Sequence, residues 1–237
     1  MLRIVCWKWQ PHNYYRTHFN AQAVNVFYNM ISRHLHIPHE VVCITDDPTG
    51  IDPRVRIVPL WETDPRMKAL GGITKPNCYT RLRAFSPEMK DIIGERFCWF
   101  DLDCVILKDI TPLFDGKEDF RMMASTNPAN FYNGSMVLMN AGARAQVWDD
   151  FDPATSAQIA AEAGYVGSDQ AWISHRLGNG EWLFTGSDGV YPYRYLLNNM
   201  NDNDMPNNAR IIFFAGKFNP WDKHRQDKHP WLRDNYF

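Results

Sequence analysis

The chain has 237 residues, of which 45% are hydrophobic, 14% aromatic and 22% charged. That profile excludes disorder, which needs few aromatics and a large net charge. The formal net charge of −2 excludes a polyanion binder acting through the whole chain and leaves room only for a local basic patch.

The amino-terminal MLRIVCWKWQPH has too short an apolar run for a signal peptide, and Leu2–Trp7 reads as a buried strand. A polar aromatic loop follows, then a helical pattern from Thr17 to about Leu35. Phe19, Ala23, Val26, Phe27, Met30 and Ile31 share its apolar face, and Pro38 follows its end. Residues 40–45 form a second apolar strand that stops at the acidic turn Asp46–Gly50. Residues 55–61 form a short edge segment, because Pro59 would interrupt a central ladder. The Gly- and Pro-rich stretch 61–77 is long for a connection, which favours a functional loop.

A helix is expected over 78–85, ending near Pro87, then a strand over 96–107 with an acidic interruption. Residues 110–115 read as a turn or short helix, and 119–125 and 135–140 as strands. Helices are expected over 143–151 and 168–175, and strands within 182–186, 190–195 and 210–216. Residues 198–208 are polar and turn-rich. Strands and helices alternate early and strands crowd together later. The expected fold is α/β, with a mixed, mostly parallel central sheet flanked by helices, in one domain over 1–237. No apolar run is long enough to cross a membrane. The five cysteines (Cys6, Cys43, Cys78, Cys98 and Cys104) are odd in number and contain no CxxC. They read as reduced thiols of a cytoplasmic protein. No HExxH, GxSxG, P-loop or GxGxxG occurs, which counts against hydrolases and P-loop NTPases.

The sharpest local feature is Trp99-Phe100-Asp101-Leu102-Asp103-Cys104. Two carboxylates stand two apart in an apolar run, so on an extended chain both point the same way. Buried together they would repel and be desolvated, and a divalent cation removes both penalties. Mg²⁺ and Mn²⁺ prefer oxygen ligands and keep positions open for phosphate, so Asp101 and Asp103 are candidate metal ligands. The alternative is a strand-terminating pair that caps a turn.

Four segments in order carry a resemblance: Asp101-Leu102-Asp103 with the ILKDITPLF that follows, Phe131–Asn140, Gly167–Trp172, and Phe213–Trp221. Together the chain resembles the metal-dependent GT-A glycosyltransferases, nearest to glycosyltransferase family 8 and its bacterial and phage relatives. The resemblance implies a GT-A, Rossmann-like domain. Residues 1–107 would mainly bind the nucleotide, and 108–237 the sugar and acceptor. It implies Mn²⁺ or Mg²⁺, a nucleotide-sugar donor such as a UDP-sugar, and transfer of one sugar to a hydroxyl with retained anomeric configuration. The acceptor stays open: a small or lipid-linked saccharide, a protein hydroxyl, or a hydroxylated base in DNA. A relative that binds nucleotide sugars with weakened transfer is the other reading.

By the same resemblance, Asp169 accepts hydrogen bonds from the sugar hydroxyls and Gln170 stands near the anomeric carbon, as candidate catalytic residues. Asn133 and Gly134 border the sugar, and Arg81, Asp101 and Leu102 contact the donor. Trp7 or Trp9 could stack on the base, Lys8 reach phosphate, and Asp46 or Asp47 meet ribose or base edges. Gly216 and Lys217 follow the last strand, where backbone N–H groups and a cation suit a diphosphate. Each has a plainer reading. Ser168 and Asp169 suit a helix N-terminus, Asn133-Gly134 and Asp46-Asp47 suit turns, and Arg83 suits a helix surface. The sequence departs from the family at Phe213-Phe214-Ala215, where a metal-binding His is usual, and at Asn219, where a Lys precedes Pro-Trp. Water, the donor or His224 are the alternatives for a third ligand.

Charge is unevenly placed. Residues 208–237 hold Arg210, Lys217, Lys223, Arg225, Lys228 and Arg233 against Asp222, Asp227 and Asp234, with two Trp among them. Basic residues interleaved with aromatics suit an anionic acceptor, nucleic acid included, or a solvated amphipathic end.

Overall fold

In the computed structural model, residues 1–10, 18–61, 77–201, 204–216 and 218–237 are described. Strand β1 (Leu2–Lys8) leads through helix α1 (Ala21–His34) to β2 (His39–Thr45) and β3 (Arg56–Pro59). A 3₁₀ helix, Cys78–Phe85, and the short α2 (Met89–Ile92) precede β4 (Arg96–Phe100) and β5 (Cys104–Ile106). After a 3₁₀ turn at Thr111–Phe114 come β6 (Phe120–Ala124) and β7 (Tyr132–Asn140), then α3 (Gln146–Asp149), α4 (Ser156–Glu162) and α5 (Asp169–Leu177). The chain closes with β8 (Trp182–Phe184), β9 (Val190–Pro192), α6 (Tyr193–Asn199), β10 (Ile211–Phe213), α7 (Lys223–Lys228) and α8 (Pro230–Asn235).

The main sheet has the order β3-β2-β1-β4-β7-β6-β8, and a second, three-stranded sheet the order β5-β10-β9. In the main sheet β3, β2, β1 and β4 are parallel, and β6 and β8 run with them. Among its described strands β7 alone runs the other way. Parallel strands buried on both faces read as continuous apolar runs, which is why β1, β2 and β4 are dense in Val, Ile, Cys and aromatics. Pro59 ends β3 at the sheet margin, where no neighbour needs its missing N–H.

Alternation along the strands divides the apolar residues between two cores. Ile4, Cys6, Val41, Cys43, Cys98, Phe100, Met136 and Leu138 face one side, against Val24, Phe27, Met30 and Ile31 of α1 and the small sheet. Val5, Trp7, Val42, Ile44, Phe97, Trp99, Val137 and Met139 face the other, against Leu82 and Phe85 of the 3₁₀ helix and Trp172 of α5. Helix α1 starts where the Asn20 side chain accepts the Ala23 N–H at 3.0 Å. None of the five cysteines is in a disulfide.

Four expectations change. The strand expected over 96–107 breaks at the acidic pair into β4 and β5, which belong to different sheets. The strand expected over 190–195 ends at Pro192, and Tyr193 opens helix α6 instead. Asn133 and Gly134 do not precede a strand. They lie inside β7: Asn133 pairs with Met123 of β6, and Gly134 falls within the register irregularity between that pair and Met122–Val137. The helix expected over 143–151 shortens to Gln146–Asp149.

The basic tail folds into two short helices that bury His229 and Leu232 and leave most of their charges exposed. Leu232 is fully buried. Arg33 of α1 donates to the carbonyls of Phe237 at 2.7 Å and Asn235 at 2.8 Å, with its guanidinium 4.0 Å from the Phe237 ring centroid. Arg33→Met removes these bonds and should cost about 1–2 kcal/mol, or roughly 2–8 °C in Tm. Thermal unfolding checks this, together with faster proteolysis at the carboxyl terminus.

Candidate active site

Ligands of open α/β sheets bind beyond the carboxyl ends of the parallel strands. Here β1 ends at Lys8, β2 at Thr45 and β4 at Phe100 on that edge. Because β7 is antiparallel, with Phe100 opposite Met136, it brings its beginning, Asn133-Gly134, to the same edge.

The 3₁₀ helix Cys78–Phe85 positions Arg81. Asn77 caps it by accepting the Tyr79 N–H at 2.9 Å, and the Thr80 hydroxyl accepts the Asn77 N–H at 3.1 Å. Leu82, Ala84 and Phe85 are buried and turn the helix inward, so Arg81 is only 7% exposed. Its Nε and Nη2 donate to Asp169 Oδ2 at 3.0 and 2.5 Å. Its Nη1 donates to Asp101 Oδ1 at 2.5 Å and more weakly to the Gly134 carbonyl at 3.4 Å. Burial alone would lower the pKa of this guanidinium. The carboxylates of Asp169 and Asp101 more than offset it and hold the pKa above its ordinary value. Arg83 points elsewhere, pairing with Glu88 at 3.3 Å.

Asp169 is 2% exposed at the start of α5. The Ser168 hydroxyl does not cap that helix. It donates to Asp169 Oδ1 at 3.0 Å, so both carboxylate oxygens are occupied from within the fold. Gln170 follows, half-buried, its Nε2 lying 3.2 Å from where a Cβ on Gly167 would stand. A side chain at Gly134 would crowd the cluster. A Cβ there would stand 3.2 Å from Arg81 Nη2 and 3.4 Å from Asp169 Oδ2. Asn133 folds its Oδ1 back to the Ser135 N–H at 2.8 Å. The thiol of Cys78 is pushed up in pKa by burial and then by the Asp169 carboxylate.

Asp101 and Asp103 sit at the joint between the two sheets. The Asp101 N–H donates to the Ser135 carbonyl at 2.8 Å, and the Asp103 carbonyl accepts the Phe214 N–H at 2.7 Å. Both are partly exposed, and Leu102 between them is buried. Residues 102 and 103 form a bend rather than an extended strand. Phe214 therefore runs directly beside Asp103. Among the described residues no group of three or more His, Cys, Asp or Glu is placed to hold a metal ion. Two partly exposed carboxylates still fit Mg²⁺ or Mn²⁺, which bind through one or two carboxylates and fill the remaining positions with water and phosphate oxygens. His224 is exposed on α7.

The remaining candidates lie around this centre. Trp7 is 4% exposed and edge-on to Trp9, Trp61 and Trp99, so it is core, and Trp9 is the partly exposed one. Lys8 is buried at 4% exposure, and its Nζ donates to the Asp47 carbonyl at 2.5 Å. Asp46 accepts the Gln10 N–H at 2.9 Å through Oδ2, while its Oδ1 is buried with no partner among the described residues. Gly216 has φ 75, a left-handed conformation that suits glycine, in the turn after β10. Lys217 and the loop over 62–76 lie outside the described residues. So the structure gathers Arg81, Asp101, Gly134 and Asp169 into one bonded cluster. It also places Trp99 there, whose Nε1 donates to the Gly134 carbonyl at 2.8 Å. Sequence reasoning passed over Trp99, although its place two residues before Asp101 put both on one side of the strand.

The seven-stranded, mostly parallel sheet with its site at the carboxyl edge has the fold of the GT-A glycosyltransferases. Among solved structures, the galactosyltransferase LgtC in complex with donor and acceptor sugar analogs superposes with a TM-score of 0.60 at 14% identity. The match covers 99% of this chain and 96% of LgtC. The glycosyltransferase GlyE of Streptococcus pneumoniae TIGR4 superposes with a TM-score of 0.59 at 12% identity, over 98% of this chain and 61% of GlyE. The bifunctional glycosyltransferase WbbM superposes with a TM-score of 0.55 at 13% identity, over 99% of this chain and half of WbbM, 50%. No protein-family model and no curated protein matches the sequence. Among the described residues no helix is long and apolar enough to cross a membrane.

Proposed function

We propose that this protein is a glycosyltransferase that moves a sugar from a nucleotide-sugar donor, a UDP-sugar, to a hydroxyl acceptor. The observation that carries the reading is the Arg81 fork, which ties Asp101 to Asp169 at the carboxyl edge of a GT-A fold. In this reading Asp101 and Asp103 hold Mn²⁺ or Mg²⁺, which would neutralise charge developing on the leaving diphosphate. Arg81 fixes the direction of both Asp101 and Asp169. Asp169 and Gln170 border the sugar with Asn133 and Gly134. Gly216 and Lys217 meet the diphosphate, and Trp9, Asp46 and Lys8 border the nucleoside. LgtC was solved with donor and acceptor sugar analogs, which supports sugar chemistry for this fold.

Saturating UDP with Mn²⁺, at about a hundred times Kd, should stabilise the protein by about 2.7 kcal/mol, roughly 5–10 °C in Tm. Asp103→Asn should abolish that shift. If no nucleoside diphosphate moves Tm, with or without metal, the reading is wrong. Release of UDP from a UDP-sugar in the absence of acceptor distinguishes transfer chemistry from binding alone.

A further inference from the structure

We infer that Trp99 is a positioning residue of this site, acting through its indole N–H on the Arg81 fork. Trp99 lies on β4, fully buried, two residues before Asp101. Its Nε1 donates to the Gly134 carbonyl at 2.8 Å, and the same oxygen receives Arg81 Nη1 at 3.4 Å. That Nη1 also donates to Asp101 at 2.5 Å. A guanidinium is a rigid planar fork, so fixing one of its acceptors limits where all its donors can stand. With the Trp99 N–H present, the Gly134 carbonyl is already satisfied and Arg81 can commit Nη1 to Asp101. Without it, the Arg81 Nη1 already 3.4 Å from that carbonyl is its described donor, and the fork is drawn toward the carbonyl and away from the carboxylate.

The surroundings make this more than filling of space. Trp99 is held edge-on by Trp7 at 6.0 Å and by Phe85 at 5.7 Å. Phe85 belongs to the same 3₁₀ helix as Arg81. Trp61, packed on Trp7 at 5.4 Å, donates its own Nε1 to the Thr80 carbonyl of that helix at 2.9 Å. Trp7, between them, has an indole N–H with no partner among the described residues. The two indoles aimed at backbone carbonyls thus serve the two segments that carry Arg81 and Gly134, and the third only packs.

The claim about Arg81 stands on this geometry; its consequence for donor binding rests on the glycosyltransferase reading. The test is the ¹⁵Nε–H NMR signal of Arg81, identified by its loss in Arg81→Lys. Buried and bonded to Asp169, it should exchange slowly with water. Trp99→Phe should speed that exchange at least tenfold or broaden the signal away. The Arg144 signal, whose Nε donates to Glu181 at 2.6 Å in a separate cluster, should stay put and report an intact fold. Trp7→Phe should leave the Arg81 signal in place. UDP with Mn²⁺ should bind Trp99→Phe at least fivefold more weakly than wild type. An unchanged Arg81 signal in Trp99→Phe, or an equal change in Trp7→Phe, overturns the inference. If the Arg144 signal is lost too, benzothienylalanine at position 99, isosteric with sulfur in place of N–H, decides the matter by the same readout. A wild type that ignores every nucleotide while the Arg81 signal responds to Trp99→Phe removes the donor reading and leaves the positioning role standing.

Discussion

Arg81→Met should lower Tm by roughly 6–20 °C. Arg81 and Asp169 have side-chain exposures of 8% and 3%, so removing the guanidinium strands a buried carboxylate rather than releasing it to water. Breaking a buried pair from one side costs about 3–5 kcal/mol, and at this chain length each 1 kcal/mol is worth about 2–4 °C. The loss comes from the orphaned charge, so removing that charge as well should restore most of the stability. Arg81→Met/Asp169→Leu is therefore expected to melt well above the single variant, with Asp101, 27% exposed, left to water. Thermal unfolding of the two variants beside wild type measures this. A single variant melting within 2 °C of wild type would falsify the idea that the fork carries the cluster.

Asp169→Asn should reduce turnover of the donor by about 10²–10³, corresponding to about 3–4 kcal/mol of lost transition-state stabilisation. Asn keeps the shape and one acceptor but removes the charge that, with Asp101, draws Arg81 into place. The loss should fall mainly on kcat, with donor affinity changed far less, because both carboxylates of the Asp101–Asp103 pair are retained. UDP release from a UDP-sugar, followed at several donor concentrations, separates the two. Turnover within threefold of wild type would leave Asp169 as a structural partner of Arg81 and nothing more.

Much of this site was legible in the sequence, because its logic is one of alternation and edges. The apolar run around Asp101 and Asp103 marked a strand end, and Arg81 rather than Arg83 faces inward, the choice that the resemblance implied. What stayed hidden is tertiary. Asn133-Gly134 looks like a hairpin turn, and only the bulge that contains Gly134 and the close approach of Arg81 show why a glycine sits inside a strand. Ser168 has the composition of a cap, but the nearby Asp169 carboxylate takes its hydroxyl. Tyr193 looks like a strand residue by propensity, yet Pro192 ends the ladder and the ring stacks on Phe214 at 4.4 Å. Helix α4 and the tail helices α7 and α8 are short, so their periodicity is weak, and packing such as that of Leu232 decides them. The bonding of Trp99 depends on a carbonyl, which sequence does not index.

The joint at Asp101-Leu102-Asp103 has a mechanical meaning. One carboxylate is rooted by its backbone in the large sheet through Ser135, and the other in the small sheet through Phe214. Any ligand that grips both is a cross-brace between two plates, and any tilt of one plate against the other is felt as a change in the span of its grip. The small sheet, whose strands are three residues each, would then borrow rigidity from whatever is bound at the hinge.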